Sequence, residues 1–310
     1  MDSELKLSME RLSQLQSQPR DDSPQSFLES VRKNHYLYPQ VGGLPRALEI
    51  KNLELRPGLE ARLYLPNAKG NLPVLVYAHG GGFAAGSLES HDVFLRALTD
   101  DAGVAVLAIA YRLAPEFPLP AALEDLHFTL NWLEQNGKKY GLDPTRAAIG
   151  GDSAGGGLAG IMALEWNRQP GRVSLKAQLL IQPNTDLSLE QNSWGQNRPF
   201  GPTPAEMTQY LSFYLPLEHN RKDPRVSLLF NPDFENAPHT VLVTGGCDPL
   251  EDDGRALGER LEDAGIALEH LHFEEVTHGF YFHLGAVELS RRGVLEMGRA
   301  LSRALEGQAF

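Results

Sequence analysis

Cysteine is almost missing from this chain. Cys247 stands alone among 310 residues, so no internal disulfide can form, and a reducing cytoplasm is the expected setting. Basic charge is also short: 28 Lys and Arg face 40 Asp and Glu, a net charge of −12 with a pI of about 5.3. A surface of that sign repels phosphate backbones and anionic lipid, which argues against nucleic acid and membrane surfaces as partners. No stretch approaches the roughly 20 apolar residues of a membrane span, and the opening MDSELKLSMERLSQLQSQ lacks the positive-then-apolar form of a secretory signal. Also missing are an Asn-x-Ser/Thr sequon, an N-terminal Gly for acylation and a C-terminal prenylation box. What is plentiful is apolar residues, 42% of the chain against 22% charged, which excludes disorder and provides for a full-sized core.

The apolar pattern changes along the chain. Residues 3–18 and 24–36 are expected to form amphipathic helices, the second with Ser23 as cap and Pro24 in its first turn. ALEIKNLEL and ARLYLP alternate like antiparallel edge strands, whereas PVLVYAH is a continuous apolar run suited to a strand buried on both faces. VAVLAIA, RAAIGG, LKAQLLIQP, HTVLVTGG and LEHLHFEE follow as strands, most of them separated by segments of helical pattern. Such alternation predicts βαβ units and a mostly parallel sheet. Residues 186–222 interrupt the rhythm with Pro, Asn and aromatics and one helix opening at Thr203-Pro204, an insertion of the length expected for a lid or binding segment.

Glycine crowds into two places. In IGGDSAGGGLAG, Gly151-Asp152-Ser153-Ala154-Gly155 has the G-x-S-x-G form of a nucleophile elbow, on which a strained strand-to-helix turn exposes the serine hydroxyl. Two dinucleotide-type patterns compete for these glycines, Gly155-x-Gly157-x-x-Gly160 and the near match Gly80-x-Gly82-x-x-Ala85, but neither has the acidic residue that should end the following strand. Gly81 and Gly86 have the spacing of a phosphate loop, yet Ser87 occupies the lysine position.

A serine needs a base to become a nucleophile. His278 follows the last strand and Asp248 the one before it, at the sheet rim where α/β folds gather ligands, in the chain order Ser153, Asp248, His278. Glu251, Asp252 and Asp253 are rival acids, and Asp248 is preferred because it comes soonest after its strand. His79-Gly80-Gly81-Gly82-Phe83, directly after PVLVYA, is suited to turn backbone N–H groups toward a substrate oxyanion.

HGGGF, YRLAPEFPLPAALED, GGDSAGGGLA, DPLEDDG and HGF, in that order over roughly residues 45–310, resemble the hormone-sensitive lipase-like, bacterial family IV carboxylesterases. The resemblance implies an α/β-hydrolase fold: an eight-stranded, mostly parallel sheet flanked by helices, with a helical cap. It implies that residues 1–44 and 186–222 form the cap and that 45–185 with 223–310 form the catalytic core. Gly81, Gly82 and Ala154 would supply the oxyanion hole, with His79, Gly80, Gly151, Asp152 and Gly155 shaping its supports. Two motifs depart from the family pattern: DPLEDDG has Glu251 where a basic residue is usual, and QPNTD stands for YPxTD. Phe83, Tyr210, Phe213, Tyr214 and Phe280 are candidate pocket walls. The expected activity is hydrolysis of short- to medium-chain acyl esters without metal or cofactor; amide, lactone or long-chain lipid hydrolysis by the same machinery, and a non-catalytic ligand-binding role, are the alternatives. Pairing of the edge strand near 268–275 would give a homodimer, as the resemblance implies, although the charges of LEHLHFEE oppose edge pairing.

Overall fold

The strand LPVLVYA is buried along nearly its whole length because its alternate side chains enter two different cores. Val74 and Val76 face one side while Leu75 and Tyr77 face the other. The computed structural model describes all residues except 20, 69, 197, 199, 217, 218 and 308–310. Among the described residues the strands are β1 (Glu49–Arg56), β2 (Leu59–Leu65), β3 (Leu72–Ala78), β4 (Ala105–Ile109), β5 (Leu142–Asp152), β6 (Ala177–Ile181), β7 (His239–Gly245) and β8 (Leu268–Phe273). They form one sheet of eight strands in the order β1-β2-β4-β3-β5-β6-β7-β8. β1, β2 and β4 pair antiparallel, and every pair from β4 through β3 to β8 is parallel. β1 is an edge strand as its alternation predicts, while β2 lies one place further in, between β1 and β4.

The helices α1 (Ser3–Leu15), α2 (Pro24–His35) and α3 (Tyr38–Gly42) precede the sheet. The connecting helices α4 (Leu88–Ala102), α5 (Ala121–Asn136) and α6 (Ala154–Asn167) follow β3, β4 and β5. α7 (Pro204–Tyr214) stands in the inserted segment, and α8 (Glu251–Asp263) links β7 to β8. α9 (Glu288–Glu306) is an element the strand-helix alternation above does not include; it buries Val294, Met297, Leu301 and Leu305 at helical spacing. With α4 it covers the Leu75 face of the sheet, and α5, α6 and α8 cover the Val76 face.

Local chemistry sets the helix starts. Ser23 accepts the Ser26 amide ahead of Pro24 in α2, and Thr203 and Glu206 form a reciprocal capping box at α7. These two helices meet above the rim of the sheet: Phe27 lies edge-on to Tyr210 at 5.1 Å, in a cluster with Leu28, Trp194 and Met207. The winding of the sheet reverses around β3, whose neighbours are β4 on one side and β5 on the other, so the loops after β3 and β5 flank a topological switch point. No helix among the described residues is long and apolar enough to cross a membrane.

Candidate active site

Ser153 follows β5 directly and caps α6 with φ 53° and ψ −122°, a backbone conformation that costs a non-glycine residue about 1–3 kcal/mol. The surroundings hold it there. Its N–H donates to Ile181 at 2.9 Å, and its carbonyl accepts from Asn184 at 3.0 Å and Gly157 at 3.1 Å. The flanking glycines are required by space: a Cβ on Gly151 or Gly155 would run into the carbonyl oxygen of Ala78 on β3. Close packing against β3 therefore accounts for Gly151 and Gly155, while Gly156, Gly157 and Gly160 abut Pro183, Asn184 and Leu228.

His278 stands on the loop after β8, and its Nδ1–H donates to both carboxylate oxygens of Asp248, at 3.0 and 3.1 Å. Asp248 lies on the loop after β7, is 1% exposed, and also accepts the Leu250 amide at 2.9 Å. Burial opposes a charge on His278, but the adjacent Asp248 carboxylate prevails and raises its pKa above the ordinary 6.5. With Nδ1 protonated toward Asp248, Nε2 carries the lone pair. The three rival acids are otherwise engaged. Glu251 pairs with Arg198 at 2.8 Å, Asp252 accepts the Ser193 amide, and Asp253 accepts the Asp186 amide with its carboxyl pushed up by burial.

The loop after β3 turns sharply, so that the carbonyl of Gly81 accepts the amides of Ala84 and Ala85 at 3.2 and 2.9 Å. The amides of Gly81 and Gly82, and that of Ala154 in the first turn of α6, donate no hydrogen bond to another described residue. His79 is scaffold: its Nδ1–H donates to Gly80 at 2.8 Å, its ring stacks on Tyr111 at 4.4 Å, and burial lowers its pKa to about 3.

Asp152, the variable position before the serine, is 2% exposed. Its carboxylate accepts the Tyr77 hydroxyl at 2.6 Å, the Gly80 amide at 2.9 Å and the Tyr281 hydroxyl at 2.8 Å, with His91 Nε2 at 3.3 Å. Burial would raise its pKa, yet His91 and the tyrosine hydroxyls hold it well below the usual carboxylate range. His91 and the two tyrosines are absent from the sequence-based site. Their signal lies in Asp152 itself, because a carboxylate wedged between an elbow glycine and serine is buried and must find donors.

A cavity of about 440 Å³ brings these groups together, lined by Ser153, His278, Gly80, Gly81, Gly82 and Asp152 with residues from α1, α2 and α7. Of the five candidate aromatic walls, Tyr210 lines it. Phe83 and Tyr214 instead stack on each other at 3.9 Å in the core, Phe213 packs against Phe27, and Phe280 is fully buried with Phe273 under α9. Phe27, Val31, Tyr38 and Phe282 take the wall positions that the sequence did not reveal. Among the described residues no group of three or more His, Cys, Asp or Glu is arranged to hold a metal ion.

Residues 75–282 match the α/β hydrolase fold family. Over 267 residues the chain is 33% identical to ethyl acetate hydrolase from Pseudomonas putida, covering 84% of each chain. It is 35% identical to the carboxylic ester hydrolase LipN of Mycobacterium tuberculosis over 73% of its own length, a match that spans only 62% of LipN. The solved ester hydrolase EH1AB1 from the metagenome of Lake Arreo superposes with a TM-score of 0.89 at 28% identity, over 99% of both chains. The chain belongs to the α/β hydrolase fold family, in its hormone-sensitive lipase-like branch of carboxylesterases.

Proposed function

We propose that the chain is a serine carboxylesterase that hydrolyses short- to medium-chain acyl esters, with Ser153 as nucleophile, His278 as base and Asp248 as its orienting acid. The observation that carries this reading is the bond from His278 Nδ1–H to a buried carboxylate while His278 and the strained Ser153 line the same cavity. Ser153 Oγ attacks the ester carbonyl as its proton passes to His278 Nε2. The oxyanion that forms accepts hydrogen bonds from the free amides of Gly81, Gly82 and Ala154, each donor worth about 2.7–4 kcal/mol. His278 then protonates the leaving alcohol, and a water activated by the same imidazole releases the acid and frees Ser153.

The names of the relatives support ester chemistry. In this reading residues 1–44 and 186–222 are the cap, and the aromatic contacts of Phe27 with Tyr210 and Phe213 join its two parts. The enzyme works in the cytoplasm and pairs through β8, the end strand of its sheet; light scattering that returns a strict monomer would refute the pairing.

The test is hydrolysis of p-nitrophenyl esters from acetyl to palmitoyl, with Ser153→Ala beside the wild type. Cleavage of the short esters that disappears in the variant supports the proposal. A wild type silent on esters but active on amides or lactones would keep the triad and replace the substrate class. Silence on all three would favour a binding role.

A further inference from the structure

The inference here rests on the esterase reading, and it starts from cavity-lining groups that the hydrolysis step does not use. They are Gln16 and Ser17 in the chain after α1, Asn34 and His35 at the end of α2, Tyr38 at the start of α3, and His283. A pocket built for a plain alkyl chain would carry aliphatic and aromatic side chains in these places. Here polar groups are set among Met9, Leu12, Val31 and Phe282, and they are already assembled. Asn34 Oδ1 accepts the Ser17 amide at 2.7 Å and its Nδ2 donates back to the Ser17 carbonyl at 3.0 Å, which ties the chain between α1 and α2 to α2. His283 is 1% exposed and hydrogen-bonds the Ser8 hydroxyl through Nδ1 at 2.7 Å.

Two groups on this wall have a fixed hydrogen-bonding sense. His35 donates its Nδ1–H to the Val31 carbonyl at 2.8 Å, which leaves Nε2 as an acceptor with no partner among the described residues. Burial lowers the pKa of His35 to about 4, so the ring is neutral at physiological pH. The Tyr38 ring meets His35 edge-on at 5.2 Å and stacks on Phe282 at 4.2 Å, while its hydroxyl makes no hydrogen bond to another described residue. Burial pushes that hydroxyl up to about 12, so it stays protonated and can donate. A ring acceptor and a phenol donor on neighbouring side chains complement a group that both donates and accepts, and the simplest such group an ester can carry is an aliphatic hydroxyl.

We infer that the substrates are esters with a free hydroxyl on one of their two chains, which donates to His35 Nε2 and accepts from the Tyr38 hydroxyl within the cavity. The hydroxyl can belong to the acid, as in an ester of an ω-hydroxyalkanoic acid, or to the alcohol, as in a diol monoester. The chemistry of recognition is the same, and kinetics separate the sources.

The experiment measures kcat/KM by pH-stat titration of the full chain on two pairs matched in size: ethyl ω-hydroxyhexanoate against ethyl heptanoate, and ethylene glycol monobutanoate against propyl butanoate. The expected result is a preference of about 10-fold for the hydroxylated member of one pair, and the pair that shows it names the chain that carries the hydroxyl. In Tyr38→Phe and in His35→Leu, tested separately, that ratio should fall to about one or below. Preference for the alkyl member in both pairs, or a ratio unmoved in both variants, overturns the inference and leaves the esterase reading intact. No hydrolysis of any of the four esters overturns both.

Discussion

The hydroxyl of Tyr281 donates to the carboxylate of Asp152 at 2.8 Å, and so joins the residue before Ser153 to the loop that carries His278. The same carboxylate accepts the amide of Gly80 at the start of the glycine loop. One buried anion therefore fixes the elbow, the glycine loop and the histidine loop relative to each other. Tyr77 and His91 complete its partners from β3 and α4.

Removal of that anion should damage the fold and the chemistry together. In Asp152→Ala the surrounding donors lose their acceptor, and the expected cost is about 3–5 kcal/mol of stability. Tyr281→Phe removes one hydrogen bond and should cost about 1 kcal/mol. Thermal unfolding ranks the two variants. A Tyr281→Phe enzyme as stable as the wild type would show that the tyrosine ring, rather than its hydroxyl, supports the loop.

The pH profile follows from His278. Because its pKa is raised above 6.5, the imidazole stays protonated and unable to act as a base until the pH climbs past that value. The acidic limb of kcat/KM should therefore have its midpoint above 6.5. Asp248→Asn removes the negative charge responsible, so the midpoint should move to lower pH while the rate falls by about 10⁴, as in the comparable substitution of serine proteases. A limb that stays fixed in the variant would assign it to another group.

Gly155→Ala tests the elbow packing without touching a reacting atom. The added methyl group would collide with the Ala78 carbonyl, so β3 and α6 must part. Strain of this kind typically costs about 1–3 kcal/mol, and the displacement of Ser153 should lower kcat more than it raises KM. Equal stability and activity in the variant would show that the elbow has room to spare.

Phe27→Ala tests the contact between α2 and α7. The ring sits 5.1 Å from Tyr210, and its loss should cost about 3–5 kcal/mol locally and widen the cavity. KM should rise more than kcat falls, because the change removes binding surface and leaves Ser153, Asp248 and His278 in place. Steady-state kinetics on a short ester check the split.

Much of this site could be read from the residues because its chemistry is tied to short motifs. Ser153 announces itself through the glycines that β3 demands, and Asp248 and His278 through their places after successive strands. The strand pattern was equally direct, since strands buried on both faces carry unbroken apolar runs. The pocket walls were not readable in that way. Phe83, Tyr214 and Phe280 are aromatic for reasons of core packing, and nothing in their sequence spacing separates them from Tyr210. Phe27, His35 and Tyr38 reach the cavity only because α2 and α3 fold over the rim, a tertiary contact with no local signature. α9 was missed for a different cause. It lies beyond the last catalytic motif, although Val294, Met297, Leu301 and Leu305 mark its buried face by their period.

The union of Phe27 with Tyr210 and Phe213 also bears on how the molecule is made. α2 leaves the ribosome well before α7 exists, and Phe27 and Leu28 must wait for a partner that arrives after six of the eight strands. Closure of the site is thus a late event in synthesis, and the nascent amino terminus carries an uncovered Phe27 and Leu28 through most of translation.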